Sequence, residues 1–184
     1  MYRNYTNYNF QPYNPKKAVK SFQDLEVYQK ALEGSVFVGK TVMEAYTALS
    51  VGVLTNRQSA RKKSAGKKIS PAAGTIDLCV ASVRAGIVKN AVICALSIPH
   101  EIAEAHSVRF GESDECLKIL DKVMLNCNKM IVYLEQIRDI CGLGLEPDQF
   151  NDQINKYQYL RRKVLNLQRV WRKYIQIEKK EKAG

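Results

Sequence analysis

The chain has 184 residues, 46% hydrophobic and 26% charged, with 29 Lys and Arg against 18 Asp and Glu for a net charge of +11. That length and apolar share suit one soluble domain able to bury a core of its own, and exclude a purely disordered or fibrous chain. Five cysteines without a C-x-x-C pair exclude a disulfide framework or a zinc site and point to a reducing cytoplasm.

The positive charge is concentrated. Arg57, Arg61, Lys62, Lys63, Lys67 and Lys68 form one cluster with no acid among them, and Lys156 to Lys182 holds ten basic residues against Glu178 and Glu181. Charge of one sign in such blocks suits a polyanion. The polar opening MYRNYTNYNF has no apolar segment of signal-peptide type. No run of about 18 uncharged apolar residues is found, so no membrane span is expected.

Residues 1–20 read as a flexible arm, with Tyr2, Tyr5, Tyr8 and Tyr13 set among asparagines and Pro12 and Pro15; aromatics of this kind could also stack on unpaired bases. Ser21 and Asp24 have the spacing of a capping box. Leu25, Tyr28, Leu32, Ser35, Gly39, Val42, Tyr46 and Leu49 then repeat at 3-4 spacing, predicting a helix of about seven turns. Gly34 and Gly39 inside it imply either strain or a closely approaching neighbour. Residues 51–74, punctuated by Gly and Pro, form a long basic loop carrying the first cluster.

Thr75 caps a second helix whose apolar residues, Ile76, Val80, Val83, Ile87, Ile93, Cys94 and Leu96 among them, lie on more than one side, so it is expected between other helices. Pro99 predicts a kink. A third helix follows Ser113 with Leu117, Leu120, Met124, Cys127, Ile131, Leu134, Arg138 and Cys141 in line, and Gly142 and Gly144 stop it. Pro147 opens the fourth. Its stripe reads Phe150, Gln153, Tyr157, Leu160, Val164, Leu167, Trp171 and Tyr174, and its other faces carry Lys156, Arg161, Arg162, Lys163, Arg169, Arg172 and Lys173. The whole predicts an all-α, antiparallel up-down-up-down four-helix bundle over 21–177, with a kinked second helix and a basic tail at 178–184.

Catalytic and metal chemistry find little to stand on. Glu101, Glu104 and His106 lack the Glu-x-x-His pairs of di-iron bundles, and neither a nucleophile–base pair nor a phosphate loop is present. The chain reads as a non-enzyme with no cofactor, no metal and no small-molecule substrate. Arg57, Arg61, Lys62, Lys63, Lys67, Lys68, Arg161, Arg162, Arg169, Arg172 and Lys173 are the candidate nucleic-acid contacts. Apolar residues off the main stripe of the fourth helix, Tyr159, Leu165, Val170, Ile175 and Ile177, are the candidate contacts with a second subunit.

Phe22-Gln-Asp-Leu-Glu-Val-Tyr28-Gln-Lys-Ala31 and Ser97-Ile-Pro-His-Glu-Ile-Ala-Glu104 resemble the four-helix-bundle proteins encoded in intervening sequences of bacterial large-subunit ribosomal RNA genes. Glu101 stands where that family has Asn, and Ala105 where it has Gly. Leu167-Gln-Arg-Val-Trp171-Arg-Lys-Tyr-Ile175 is similar to the G-x-W-I ending of the accessory variability determinant proteins of diversity-generating retroelements, with Val170 in place of Gly. The second resemblance implies a basic ring, generally a pentamer, that binds reverse transcriptase and template RNA. The first implies the alternative, a scaffold without direct RNA contact.

Overall fold

Ser21 opens the first helix through the capping box its spacing predicts. Its Oγ accepts from the Gln23 amide at 3.3 Å, and its own amide donates to Asp24 Oδ2 at 3.0 Å. The computed structural model describes residues 21–52, 71–109 and 113–183, and its regular secondary structure is helical throughout, with no strand among the described residues. The box closes a 3-10 turn at Phe22–Asp24. Helix α1, Glu26–Val36, follows, widens into a π turn at Phe37–Val42, and stays helical over 43–52. Helix α2 is Pro71–Val108, α3 is Ser113–Gln136 with a π turn at Ile137–Cys141, and α4 is Pro147–Ala183. Gly142 and Gly144 stop α3 as predicted. Their φ angles of 59° and 70° belong to the left-handed region that favours glycine.

The helices form a four-membered bundle in which α1 packs on α2 and α4, and α3 packs on the same two. Pairs across three of the seams fix the register. Glu26 meets Tyr159 and Lys163 whereas Phe37 meets Phe150. Arg84 Nε donates to the Ile140 carbonyl at 3.3 Å whereas Glu101 meets Asn126. Gln168 meets Leu117 and Asp121 whereas Arg138 meets Asn151. Along each seam, rising numbers on one helix face falling numbers on the other. The core between them contains Ala31, Val38 and Val42 from α1, Ile98 and Ile102 from α2, Leu120, Met130 and Leu134 from α3, and Phe150, Tyr157 and Val164 from α4, all fully or almost fully buried.

Two details show how the sequence builds this core. A Cβ on Gly34 would lie 2.7 Å from the Tyr157 hydroxyl and 2.9 Å from its Cζ, so the bare backbone at Gly34 is what admits the Tyr157 ring between α1 and α4. Gly39, by contrast, faces open space. The second detail is polar. Glu101 is 5% exposed and accepts from Asn126 Nδ2 at 2.9 Å on both oxygens, while the ammonium of the exposed Lys122 stands 3.2 Å away. Asn126 Nδ2 also lies 3.3 Å from Ser97 Oγ, and the Asn126 carbonyl accepts from the Cys94 thiol at 3.4 Å. A buried carboxylate is tolerated only with such partners, so Ser97 and Glu101 lock α2 to α3. Ile98, Pro99, Ile102 and Ala105 of the same segment are buried as well. The helix runs on through Pro99.

Several expectations are corrected. The second helix lies between α1 and α3 as expected, but among the described residues these leave part of its apolar girth uncovered: Leu78, Val80, Val83, Ile93 and Leu96 remain exposed. Residues 78–83 are all exposed because they lie beyond the Arg84–Ile140 contact, where α3 ends. By length and composition, Leu78–Val108 is long and apolar enough to cross a membrane, with mean hydropathy 1.6, although Arg84, Lys89 and Glu101 interrupt it, so that it holds no uncharged run of 18 residues. The helix starts at Pro71 rather than Thr75. On α1 the buried stripe runs through Ala31 and Val38 rather than Leu32 and Gly39, both of which are exposed.

Candidate nucleic-acid interface on the fourth helix

From Gln153 to Ile177 the chain has seven Lys or Arg residues and no Asp or Glu. The fold distributes those seven cations unequally. Lys156 pairs with Asp152 at 2.6 Å. Lys163 pairs with Glu26 at 3.0 Å and sits 5.1 Å above the Tyr159 ring, whose hydroxyl donates to the other Glu26 oxygen at 2.8 Å. Partial burial would raise the Glu26 carboxyl, but the Tyr159 hydroxyl and the Lys163 ammonium outweigh it and hold it below its usual range. The bonds to Tyr159 and Glu26 in turn raise Lys163. Arg161 turns toward the bundle, its Nε buried without a hydrogen-bond partner.

That leaves Arg162, Arg169, Arg172 and Lys173. All four are exposed, and none has an acidic partner among the described residues. Helical spacing sets three of them on the crest of α4, in the series Asn151, Asn155, Gln158, Arg162, Asn166, Arg169, Lys173 and Gln176, every member exposed. Steps of three and four residues keep such a series on one face. The crest lies opposite the buried series Phe150, Tyr157, Leu160, Val164 and Gln168. Arg172 flanks it on the side of α3. From Arg162 to Lys173 the cations span about 16 Å at 1.5 Å per residue.

The chain matches no family model, no curated protein and no solved structure. Chemistry therefore has to carry the interpretation. Guanidinium groups bind phosphate oxygens in pairs and ammonium groups as point charges. The Asn and Gln amides between them can both donate and accept, as sugar and base edges require. The composition alone suggested the cations; the amides that share their face, Asn155, Gln158, Asn166 and Gln176, were missed. Counting the 3-4 series outward from Arg162 would have found them.

The other predicted site residues fare as follows. Arg57, Arg61, Lys62, Lys63, Lys67 and Lys68 lie outside the described residues. Of the candidate subunit contacts, Tyr159 is 37% exposed and bonded to Glu26, Leu165 is half-buried, and Val170 and Ile177 are 41% and 42% exposed. Ile175 is a correction: it is 7% exposed and turned inward, whereas Tyr174, placed on the core stripe, is 62% exposed. Trp171 packs on the core as expected, beside His106 at 6.3 Å and beneath the Arg109 guanidinium at 5.8 Å. His100 and Glu104 are exposed while Glu101 points into the α2–α3 seam, and no three metal-ligating side chains converge among the described residues.

Proposed function

We propose that this protein is a non-catalytic RNA-binding accessory protein of a diversity-generating retroelement, binding template RNA and reverse transcriptase as a ring-shaped homo-oligomer of antiparallel bundles. The observation that carries the RNA reading is the acid-free crest of α4, with Arg162, Arg169 and Lys173 exposed in line and Arg172 beside them. An unpaired row of this kind has no structural duty to perform within the bundle. The crossed numbering of the helix seams supports the antiparallel order.

Subunit contacts are better supplied by α2 than by α4. Ile93 and Leu96 are 56% and 47% exposed on a helix that packs, among the described residues, on α1 and α3, and burying such residues against another copy removes apolar surface from water. A membrane would satisfy the same helix; the ring reading predicts that the purified protein does not pellet with vesicles.

The residues Ser97 to Glu104, which resemble the ribosomal intervening-sequence proteins, are used largely in the α2–α3 seam and so bear on the fold rather than on the partner. The retroelement reading rests on the ending at Trp171 together with the crest.

The experiment is RNA capture by the intact protein and by a variant with Arg162, Arg169, Arg172 and Lys173 replaced by Gln. Loss of binding with unchanged helicity and unchanged native mass supports the reading. Undiminished binding by the variant refutes it.

A further inference from the structure

One face of α4 is apolar and exposed, with no helix against it among the described residues. Val170, Tyr174 and Ile177 are 41%, 62% and 42% exposed. Val170 and Tyr174 follow Lys163 by about two and three turns, and Ile177 follows Tyr159 by about five, so all three share the side on which Tyr159 and Lys163 meet α1. This side is covered as far as α1 reaches and bare beyond. The end of α1 is marked by Phe22, whose ring stacks edge-on against Tyr28 at 4.9 Å and His106 at 6.4 Å, and His106 leans on Trp171.

Direction matters here. Along α1, Phe37 meets Phe150, and Glu26 meets Tyr159 and Lys163; moving upstream in α1 moves toward higher numbers in α4. The start of the described chain at Ser21 therefore lies at the end of the bundle where Trp171 sits, next to the face that bears Tyr174 and Ile177. Residues 1–20 include Tyr2, Tyr5, Tyr8, Phe10 and Tyr13 and contain no Asp or Glu.

We infer that residues 1–20 dock on the Val170–Tyr174–Ile177 face of α4, continuing the line of α1 with aromatic side chains. Reach is ample. Trp171 to Ala183 is about 18 Å of helix, and twenty extended residues span up to about 66 Å. A segment tethered this close also has an effective concentration in the millimolar range, so weak apolar and aromatic contacts suffice to hold it. Tyrosine rings laid here come within reach of Lys173 and Arg169 on the adjoining crest, where cation–π contact adds to apolar burial. A second copy related by a two-fold axis is the poorer occupant. A two-fold contact would set the same surface against itself, bringing Arg169 and Lys173 of one copy toward those of the other.

The docking itself needs no RNA and is tested without it. Full-length protein carrying a photoactivatable phenylalanine at position 174 is irradiated, digested and mapped. Cross-links within one chain to residues 1–20 are expected. Cross-links between chains, cross-links only to other parts of the same chain, or none at all would overturn the inference. As an independent arm, deleting residues 1–20 should make amide hydrogen exchange over 168–178 several-fold faster while 150–164 stays unchanged; equal exchange in both regions, with or without the arm, contradicts it.

Discussion

Replacing Gly34 by Ala sets two known effects against each other. In an ordinary helix interior the change stabilises by about 1 kcal/mol, because alanine loses less backbone entropy on folding. Here the new methyl would lie 2.7 Å from the Tyr157 hydroxyl oxygen and 2.9 Å from Cζ, closer than real Cβ atoms come. Tyr157 is 2% exposed, so its ring has little room to withdraw. Forcing an extra methyl into a packed core costs about 1–3 kcal/mol, and with two contacts under 3.0 Å the upper half of that range applies. Gly34→Ala should therefore destabilise the protein by about 1–2 kcal/mol net, read as a lower urea midpoint by circular dichroism at unchanged slope. Tyr157→Phe supplies the control. The hydroxyl is buried without a partner, and such a group costs about 1–3 kcal/mol, so Phe should be neutral or stabilising. In the double variant the shortest contact is gone, and the cost of Gly34→Ala should fall by about 0.5 kcal/mol or more. A stabilising Gly34→Ala, or strict additivity with Tyr157→Phe, would refute the close approach.

Asn126→Leu leaves the Glu101 carboxylate in the α2–α3 seam with Lys122 alone; loss of about 2–3 kcal/mol is expected by denaturant titration, much of it recovered by adding Glu101→Leu, since both partners are then apolar. Glu26→Gln removes the bonds from Tyr159 and Lys163. Because the folded carboxyl sits below its ordinary value of 4.5, its stabilisation is present above that value and fades as pH falls through the folded one. The variant should thus be about 0.2–1 kcal/mol less stable at pH 7 and indistinguishable by about pH 3, measured as unfolding midpoints across pH. Among the five thiols only Cys79 is exposed, while burial pushes Cys94 up to about 11 and Cys127 to about 12. A thiol reagent at neutral pH should modify Cys79 quickly and the other four only on unfolding; a fast phase surviving in Cys79→Ser contradicts the burial pattern.

Helix number, the Ser21 box, the stop at Gly142 and Gly144 and the start at Pro147 were all legible, because each depends on a local conformational preference. Stripes were less so, for a reason α4 makes clear. Phe150, Tyr157, Val164 and Trp171 form one strict heptad series, and Gln153, Leu160, Leu167 and Tyr174 form a second. A straight helix has 3.6 residues per turn and drifts about 20° per heptad from such a repeat. Over three heptads the buried face has rotated to Gln168 and Ile175, and Tyr174 is turned out to solvent. The exposed apolar residues of α2 were not legible for a different reason. Apolar residues around its girth signal contact with something, but a single chain cannot say whether neighbouring helices or another molecule supplies it. The crest of α4 was legible as charge; which cations remained free was not, because Glu26 lies 137 residues from Lys163 and the Arg161 side chain could have faced either way.

The central claim, that the crest of α4 meets phosphates, is tested most directly by the salt dependence of RNA binding. Affinity of the intact protein for single-stranded RNA should fall linearly on a log–log plot against salt, and neutralising Arg162, Arg169, Arg172 and Lys173 should reduce that slope by about 0.7 per lost contact, roughly 3 in all. Equal slopes for the intact protein and the variant, or binding indifferent to salt, would contradict it.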